Sequence, residues 1–111
     1  MTWQEACAIG SVLPLVEAGS YHGYPALRVG GKFLTRLGDD YASVEFKAID
    51  PDERDAMLLA DPTVFHLPAG FRGAGVFVHL RTIDESTLRQ LMENRWRQIA
   101  PRAVVKAYDS A

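Results

Sequence analysis

The chain has 111 residues, the size of one compact domain, which leaves no room for a second hydrophobic core. Apolar residues make up 48% and charged residues 23% of the sequence, which excludes intrinsic disorder and predicts a buried core. The net charge of −2 gives no global attraction to nucleic acid or to anionic membranes. We therefore predict a single domain spanning residues 1–111.

The sequence contains neither a membrane-spanning run nor the features of a signal peptide. No apolar stretch reaches the roughly 20 residues that a membrane helix needs, and the first residues lack a basic end followed by an apolar segment. Cys7 is the single cysteine, so an internal disulfide and a thiolate zinc site within one chain are excluded. We expect a cytoplasmic protein without membrane contact, in which Cys7 is a small buried apolar residue.

The first predicted element is a helix that begins after Thr2. Thr2 and Glu5 have the spacing of a capping box, and the helical pattern of apolar residues ends near Leu13, before Pro14. The glycine-rich and aromatic residues 16–24 then predict a loop or a short irregular strand.

Two strands and an alternating segment follow. Gly30-Gly31 separates Ala26–Val29 from Lys32–Leu37, which predicts a hairpin with a primed turn. Ala42–Ala48 alternates apolar and polar residues, so we expect a strand with one buried and one solvated face. The residues expected on the solvated face are Ser43, Glu45 and Lys47.

A second helix and two more strands come next. Asp50-Pro51-Asp52-Glu53 combines an N-cap, a proline at the first helical position and acids in the first turn, and the helix should end near Ala60. Thr63–Leu67 and Gly75–Arg81 predict two strands joined by a glycine-rich loop. In the second of them, the side chains expected to point outward are Phe77, His79 and Arg81.

The last elements are helical. Asp84 is the predicted N-cap of a long helix that Pro101 ends, and Arg102–Tyr108 predicts a short final helix. The apolar stripe of the long helix comprises Leu88, Leu91, Met92, Trp96 and Ile99. Arg95 falls near the middle of this stripe, so we expect it to extend past the core edge or to pair with a carboxylate rather than to bind a ligand.

The order of elements, α-β-β-β-α-β-β-α-α, predicts the fold class. The turns between the first three strands are too short for parallel crossovers. We therefore predict a two-layer α+β domain with a mostly antiparallel five-stranded sheet and helices packed on one face.

Several phrases of the sequence resemble one known family, the MmcQ/YjbR-like family. They are Arg28-Val29-Gly30-Gly31-Lys32, Asp50-Pro51-Asp52-Glu53-Arg54, Arg72-Gly73, Trp96-Arg97 and Ala100-Pro101-Arg102. The similarity covers roughly residues 16–108. It implies a secretion-chaperone-like fold and, from the label that members commonly carry, DNA binding. The chain departs from the family at Arg95, where related sequences tend to have a small residue.

Candidate catalytic and metal-binding residues are few. His22, His66 and His79 lie on separate predicted elements and lack a second ligand at short spacing, so no metal is expected unless the fold brings them together. The loop Gly70–Gly75 lacks the Gly-Lys-Ser/Thr ending of a phosphate-binding P-loop. No nucleophile has a paired base, so the sequence predicts no enzyme and no cofactor.

Candidate binding residues are cations and an aromatic residue at expected surface positions. They are Lys47, Phe71, Arg72, His79, Arg81, Arg102 and Lys106. Two interpretations of the sheet cations are open, an ordinary solvated face balanced by Glu45 or a surface for nucleic acid or an acidic partner. The preferred function is a small non-enzymatic module that contacts DNA phosphates. The alternative is an adaptor or chaperone-like module that binds a protein partner.

Overall fold

The computed structural model describes residues 1–111 and contains one six-stranded sheet with four helices. The helices are α1 (Trp3–Gly10), α2 (Pro51–Ala60), α3 (Glu85–Ile99) and α4 (Arg102–Asp109). The strands are β1 (Val16–Tyr21), β2 (Tyr24–Val29), β3 (Lys32–Leu37), β4 (Ser43–Phe46), β5 (Phe65–His66) and β6 (Val76–His79). All neighbouring strands are antiparallel, in the order β1-β2-β3-β4-β6-β5. The predicted two-layer α+β class is confirmed. None of the helices combines the length and the apolar character that crossing a membrane requires.

The additional strand is β1, at one edge of the sheet. It pairs with β2 along its whole length through a two-residue turn at His22-Gly23, where both residues have positive φ, 48° and 85°. This primed turn has the same form as Gly30-Gly31 between β2 and β3, with φ of 55° and 82°. The four central residues of β1 are all exposed, so the strand has no alternating pattern that a sequence could reveal.

One face of the sheet, the inner face, carries the hydrophobic core. Leu34, Val44 and Val78 on this face are buried, and α1 and α3 pack against it. The five residues of the predicted α3 stripe are all buried. Trp96 is fully buried, and its Nε1 donates to the carbonyl oxygen of Pro14 at 2.8 Å. Burying such side chains contributes about 1.5–3 kcal/mol each, so this layer supplies most of the stability.

The helix starts follow the predicted capping chemistry. Thr2 and Glu5 form the reciprocal capping box of α1. The Asp50 carboxylate accepts from two backbone N–H groups of the first turn of α2, and Asp84 accepts from the N–H of Thr87. The acidic cluster at the start of α2 is therefore explained by capping and by the helix dipole. Cys7, predicted to be buried, is only half-buried at the edge of the core.

Strands β5 and β6 are shorter than predicted. The chain before β5 forms a turn, from which the carbonyl of Val64 accepts from the N–H of His79 at 2.8 Å. After β6 the chain turns again at Leu80, which places Arg81 outside the sheet and exposed to solvent.

Candidate functional site

The outer face of the sheet, which lies opposite the helices, carries a row of polar and aromatic side chains. Arg36 on β3, Glu45 on β4, Phe77 on β6 and His66 on β5 occupy directly opposed positions on neighbouring strands. Glu45 is only 5% exposed and Phe77 only 4%. The predicted solvated face is therefore wrong for both residues, and for Ser43, which is fully buried. They are buried because the side chains of this face cover one another.

Arg36 is the centre of this row. Its Nε donates to Glu45 Oε1 at 2.9 Å and its Nη1 to Asp39 Oδ1 at 2.9 Å. The guanidinium carbon also lies 5.1–5.6 Å from the ring centres of Tyr21, Tyr24 and Phe77. Burial works to lower the pKa of Arg36, but the two carboxylates outweigh it and raise the pKa above its ordinary value. Arg36 is therefore a fixed cation held by both ion pairs and rings.

Lys47, a predicted binding residue, also makes contacts within the protein. Its Nζ donates to the Tyr21 hydroxyl at 2.8 Å and lies 4.2 Å from the ring centres of Tyr21 and Phe33. The side chain is half-buried. Its cation therefore joins the residue after β4 to β1 and is not a freely exposed phosphate contact.

A pocket of about 320 Å³ opens beside the row. We call it the basin and define it by the lining residues Arg36, Asp39, Asp40, His66, Phe71 and Phe77. The Phe71 ring stands edge-on to the Phe77 ring, with centres 5.3 Å apart. The basin thus combines aromatic walls with one cation and two carboxylates, and its volume lies at the lower end of ligand pockets, about 300–1,000 Å³.

The glycine-rich loop between β5 and β6 forms one wall of the basin. Phe71 folds back over Gly73, where a Cβ atom would come within 2.6 Å of the ring. Arg54 on α2 holds the loop by donating to the carbonyls of Gly73 and Gly75 at 2.8 and 3.3 Å. Phe71 is therefore half-buried rather than at an exposed tip, whereas Arg72 is exposed and makes no ion pair.

Two of the three histidines meet at the rim of the basin. The rings of His66 and His79 stack, with centres 3.9 Å apart and planes 13° from parallel. His66 lies opposite Phe77 in the β5–β6 pair, which places it diagonally across from His79 on the same face. The fold thus brings together two histidines that lie on separate elements, the possibility that the sequence left open. Only the β5–β6 register would have revealed it, and two-residue strands give no such pattern.

Asp40 adjoins the histidine pair and is held by its own turn. Its Oδ1 accepts from the N–H groups of Ala42 and Ser43, each at 3.0 Å, and its Oδ2 accepts from the Ser43 hydroxyl at 2.8 Å. Partial burial works to raise the pKa of Asp40, but these hydrogen bonds outweigh it and lower the pKa. The carboxylate is thus ionised and fixed beside the histidines.

Ser43, His79 and Asp40 are the residue types of a hydrolytic triad, but the hydrogen bonds between them differ from those of a triad. The Ser43 hydroxyl lies 3.4 Å from His79 Nδ1 and donates its proton to Asp40, so the carboxylate holds the serine and not the histidine. Ser43 is also fully buried, which keeps its oxygen away from any substrate.

His66 is held in a partly buried setting. Burial and the neighbouring His79 lower its pKa, and Asp40 opposes them. Its Nδ1 is shielded from solvent and has no hydrogen-bond partner. The ring is therefore neutral near pH 7, with one nitrogen that no other contact uses.

The predicted binding residues do not form one surface. Four of them, Lys47, Phe71, Arg72 and His79, lie on the outer face or in the loop beside it. Arg102 and Lys106 are exposed on α4, which packs against α3 in the helical layer through the contact of Tyr108 with Trp96. Arg102 and Lys106 are therefore separate from the basin.

Arg95 lines a second pocket, of about 560 Å³, between α3 and the start of α2. Its Nη1 donates to Gln98 Oε1 at 3.1 Å, while its buried Nε has no partner. Burial lowers the pKa of Arg95. Asp50 and Glu53 line the same pocket without forming an ion pair with it, so of the two expected arrangements the pairing with a carboxylate is not formed.

Comparisons with known proteins leave the family open. No family model, curated protein or solved structure matches the chain. The resemblance to the MmcQ/YjbR-like family therefore stays a prediction from the sequence.

Proposed function

We propose that the protein is a non-enzymatic binding module for single-stranded nucleic acid. One unstacked base enters the basin, and Arg72 contacts an adjoining phosphate. The observation that carries this proposal is the position of Arg72, an exposed cation without an ion pair, directly after Phe71 at the basin wall. Aromatic walls for bases beside cations for phosphates are the usual combination in single-strand binding.

The polar groups of the basin suit a base better than a phosphate. Asp39 and Asp40 would repel a phosphate, but their oxygens can accept from the exocyclic amino group of a base. Arg36 is neutralised by its two ion pairs, so it offers a stacking plane rather than free charge. The phosphate contact therefore belongs outside the basin, at Arg72.

The same geometry disfavours an enzyme. Ser43, the hydroxyl nearest to a histidine, is buried and gives its proton to Asp40. A nucleophile needs access to the substrate and a base that takes its proton. The cluster therefore supports a role in binding rather than in covalent catalysis.

Fluorescence anisotropy with labelled single-stranded and duplex DNA tests this function. We expect the single strand to bind more tightly than the duplex, and binding to weaken as salt is added, because phosphate contacts release counterions. Arg72→Ala should lower the affinity and reduce the slope of log K against log salt by about 0.7. Phe71→Leu, which keeps an apolar wall, should weaken binding of the single strand more than binding of the duplex.

Arg102→Ala is the matched control, because it removes another exposed arginine, which lies in the helical layer. It should leave the affinity unchanged, and the melting temperatures of all variants should agree with that of the parent. Absence of binding at low salt, or equal losses in Arg72→Ala and Arg102→Ala, would contradict the proposal. Specific capture of one protein partner would then favour the adaptor alternative.

A further inference from the structure

The cluster of Asp40, His66 and His79 combines three metal-ligating residue types from three separate parts of the fold. Asp40 lies between β3 and β4, His66 on β5 and His79 on β6. One ligand atom from each residue lies within 4.8 Å of the other two. Antiparallel pairing fixes the positions of both histidines, and the turn hydrogen bonds fix the carboxylate.

The hydrogen bonds around Ser43 orient two of these groups. The hydroxyl carries one proton, which it donates to Asp40 Oδ2 at 2.8 Å, so it can only accept from Nδ1–H of His79, 3.4 Å away. That tautomer leaves the lone pair of His79 on Nε2. In metal sites, a ligating histidine usually donates its other ring N–H to an outer partner that orients the ring. Ser43 has the position of such a partner for His79.

His66 has a free nitrogen as well. Its buried Nδ1 has no hydrogen-bond partner. A buried polar atom without a partner costs about 1–3 kcal/mol, and the stacked His79 ring supplies no hydrogen bond to relieve it. Because the lone pair of an imidazole nitrogen lies in the ring plane, a cation bound at the edge of the two stacked rings, on the side of Asp40, would use a nitrogen of this ring.

We propose that Asp40, His66 and His79 bind one divalent transition-metal ion of the zinc class. Two imidazole nitrogens and one carboxylate oxygen form a donor set that suits zinc and its neighbours and leaves at least one position for water. Ligand atoms on a tetrahedral zinc ion with bonds of about 2.1 Å lie roughly 3.4 Å apart. The ligand atoms therefore need to approach one another by no more than about 1.4 Å. Rotation of the two half-buried histidine side chains supplies this movement while Asp40 keeps its turn hydrogen bonds.

The metal site shares Asp40 and His66 with the basin but does not depend on the proposed nucleic-acid binding. Zn²⁺ binding by the protein alone is sufficient to establish it. Anisotropy measurements on chelator-treated, metal-free protein test the contribution of Arg72 to nucleic-acid binding separately. Failure of one proposal therefore leaves the other standing.

Titration calorimetry of the full chain with Zn²⁺ tests the proposal, after chelator treatment and buffer exchange. We expect saturable binding of one ion per chain and a rise in melting temperature that depends on Zn²⁺ concentration. Asp40→Asn, His66→Gln and His79→Gln should each abolish saturable binding. Ser43→Ala keeps all three ligands and should weaken binding by about 10-fold, because it removes the orienting partner.

The controls separate this site from adventitious binding. His22→Asn removes the third histidine, which lies in the β1–β2 turn, and Cys7→Ser removes the single thiol. Both variants should bind Zn²⁺ as the parent does, and the Co²⁺ complex should lack a thiolate charge-transfer band. Absence of saturable binding in the parent overturns the proposal. Retention in a ligand variant that melts normally, or loss in either control, also overturns it.

Discussion

Both faces of the sheet are buried at its centre, but by different means. Val44 and Val78 on the inner face are covered by helices, whereas Glu45 and Phe77 on the outer face are covered by side chains of the sheet and of one loop. The inner face gains most of its free energy from buried apolar area. The outer face keeps buried charges only because each of them has a partner. Burial alone therefore does not distinguish a core from a site.

The largest effect should come from the inner face. Trp96→Ala removes a fully buried indole, its hydrogen bond to Pro14 and its contact with Tyr108. We expect a loss of about 3–5 kcal/mol in the free energy of unfolding, measured by urea denaturation. Leu59→Ala is the control, since Leu59 is 87% exposed, and it should change stability by less than about 0.5 kcal/mol. Similar losses in both variants would contradict the packing described for α3.

A smaller loss should come from the outer face and should be recoverable. Arg36→Met leaves Glu45 buried without its partner and should cost about 2 kcal/mol, between the values for exposed and fully buried pairs. Adding Glu45→Leu removes that unpaired charge, so the double variant should be more stable than Arg36→Met. Urea denaturation of the full double-mutant cycle measures the coupling. If the losses of the two single variants simply add in the double variant, Arg36 and Glu45 are not coupled. The outer face would then respond to substitution as the inner face does.

The smallest effect should be a pH dependence confined to the outer face. Because the folded state holds the pKa of His66 below its ordinary 6.5, the folded state resists protonation more than the unfolded chain. Stability contributed by neutral His66 is therefore complete above about pH 6.5 and is lost as the pH falls through the folded pKa. Urea denaturation with a chelator, at about pH 7.5 and about pH 5.5, should show a steeper loss in the parent than in His66→Gln. Equal losses in both proteins would contradict this assignment.

The inner face was predictable from sequence, and the outer face was not. The stripe of α3, the cap at Asp84 and the turn at Gly30-Gly31 are local signals, each contained within a few residues of the chain. The burial of Glu45 and the stacking of His66 on His79 depend on which strands are neighbours and in what register. The alternation around Glu45 correctly predicted on which face of the strand Glu45 lies. It could not show which side chains cover that face.

The two-residue turns at His22-Gly23 and Gly30-Gly31 also bear on the order in which the chain folds. They join β1, β2 and β3 into a meander whose contacts are close in sequence, so closing it costs little chain entropy. The β4–β6 pair joins strands separated by α2 and β5, and such distant contacts slow folding. We therefore expect the meander to form early and the β4–β6 pair late. The kinetic φ-value, the ratio of the change in folding activation free energy to the change in stability, tests this order. A kinetic φ-value for Val78→Ala as high as that for Val29→Ala would contradict it. Since His66, His79 and part of the basin lie on β5 and β6, the proposed sites would be the last part of the molecule to assemble.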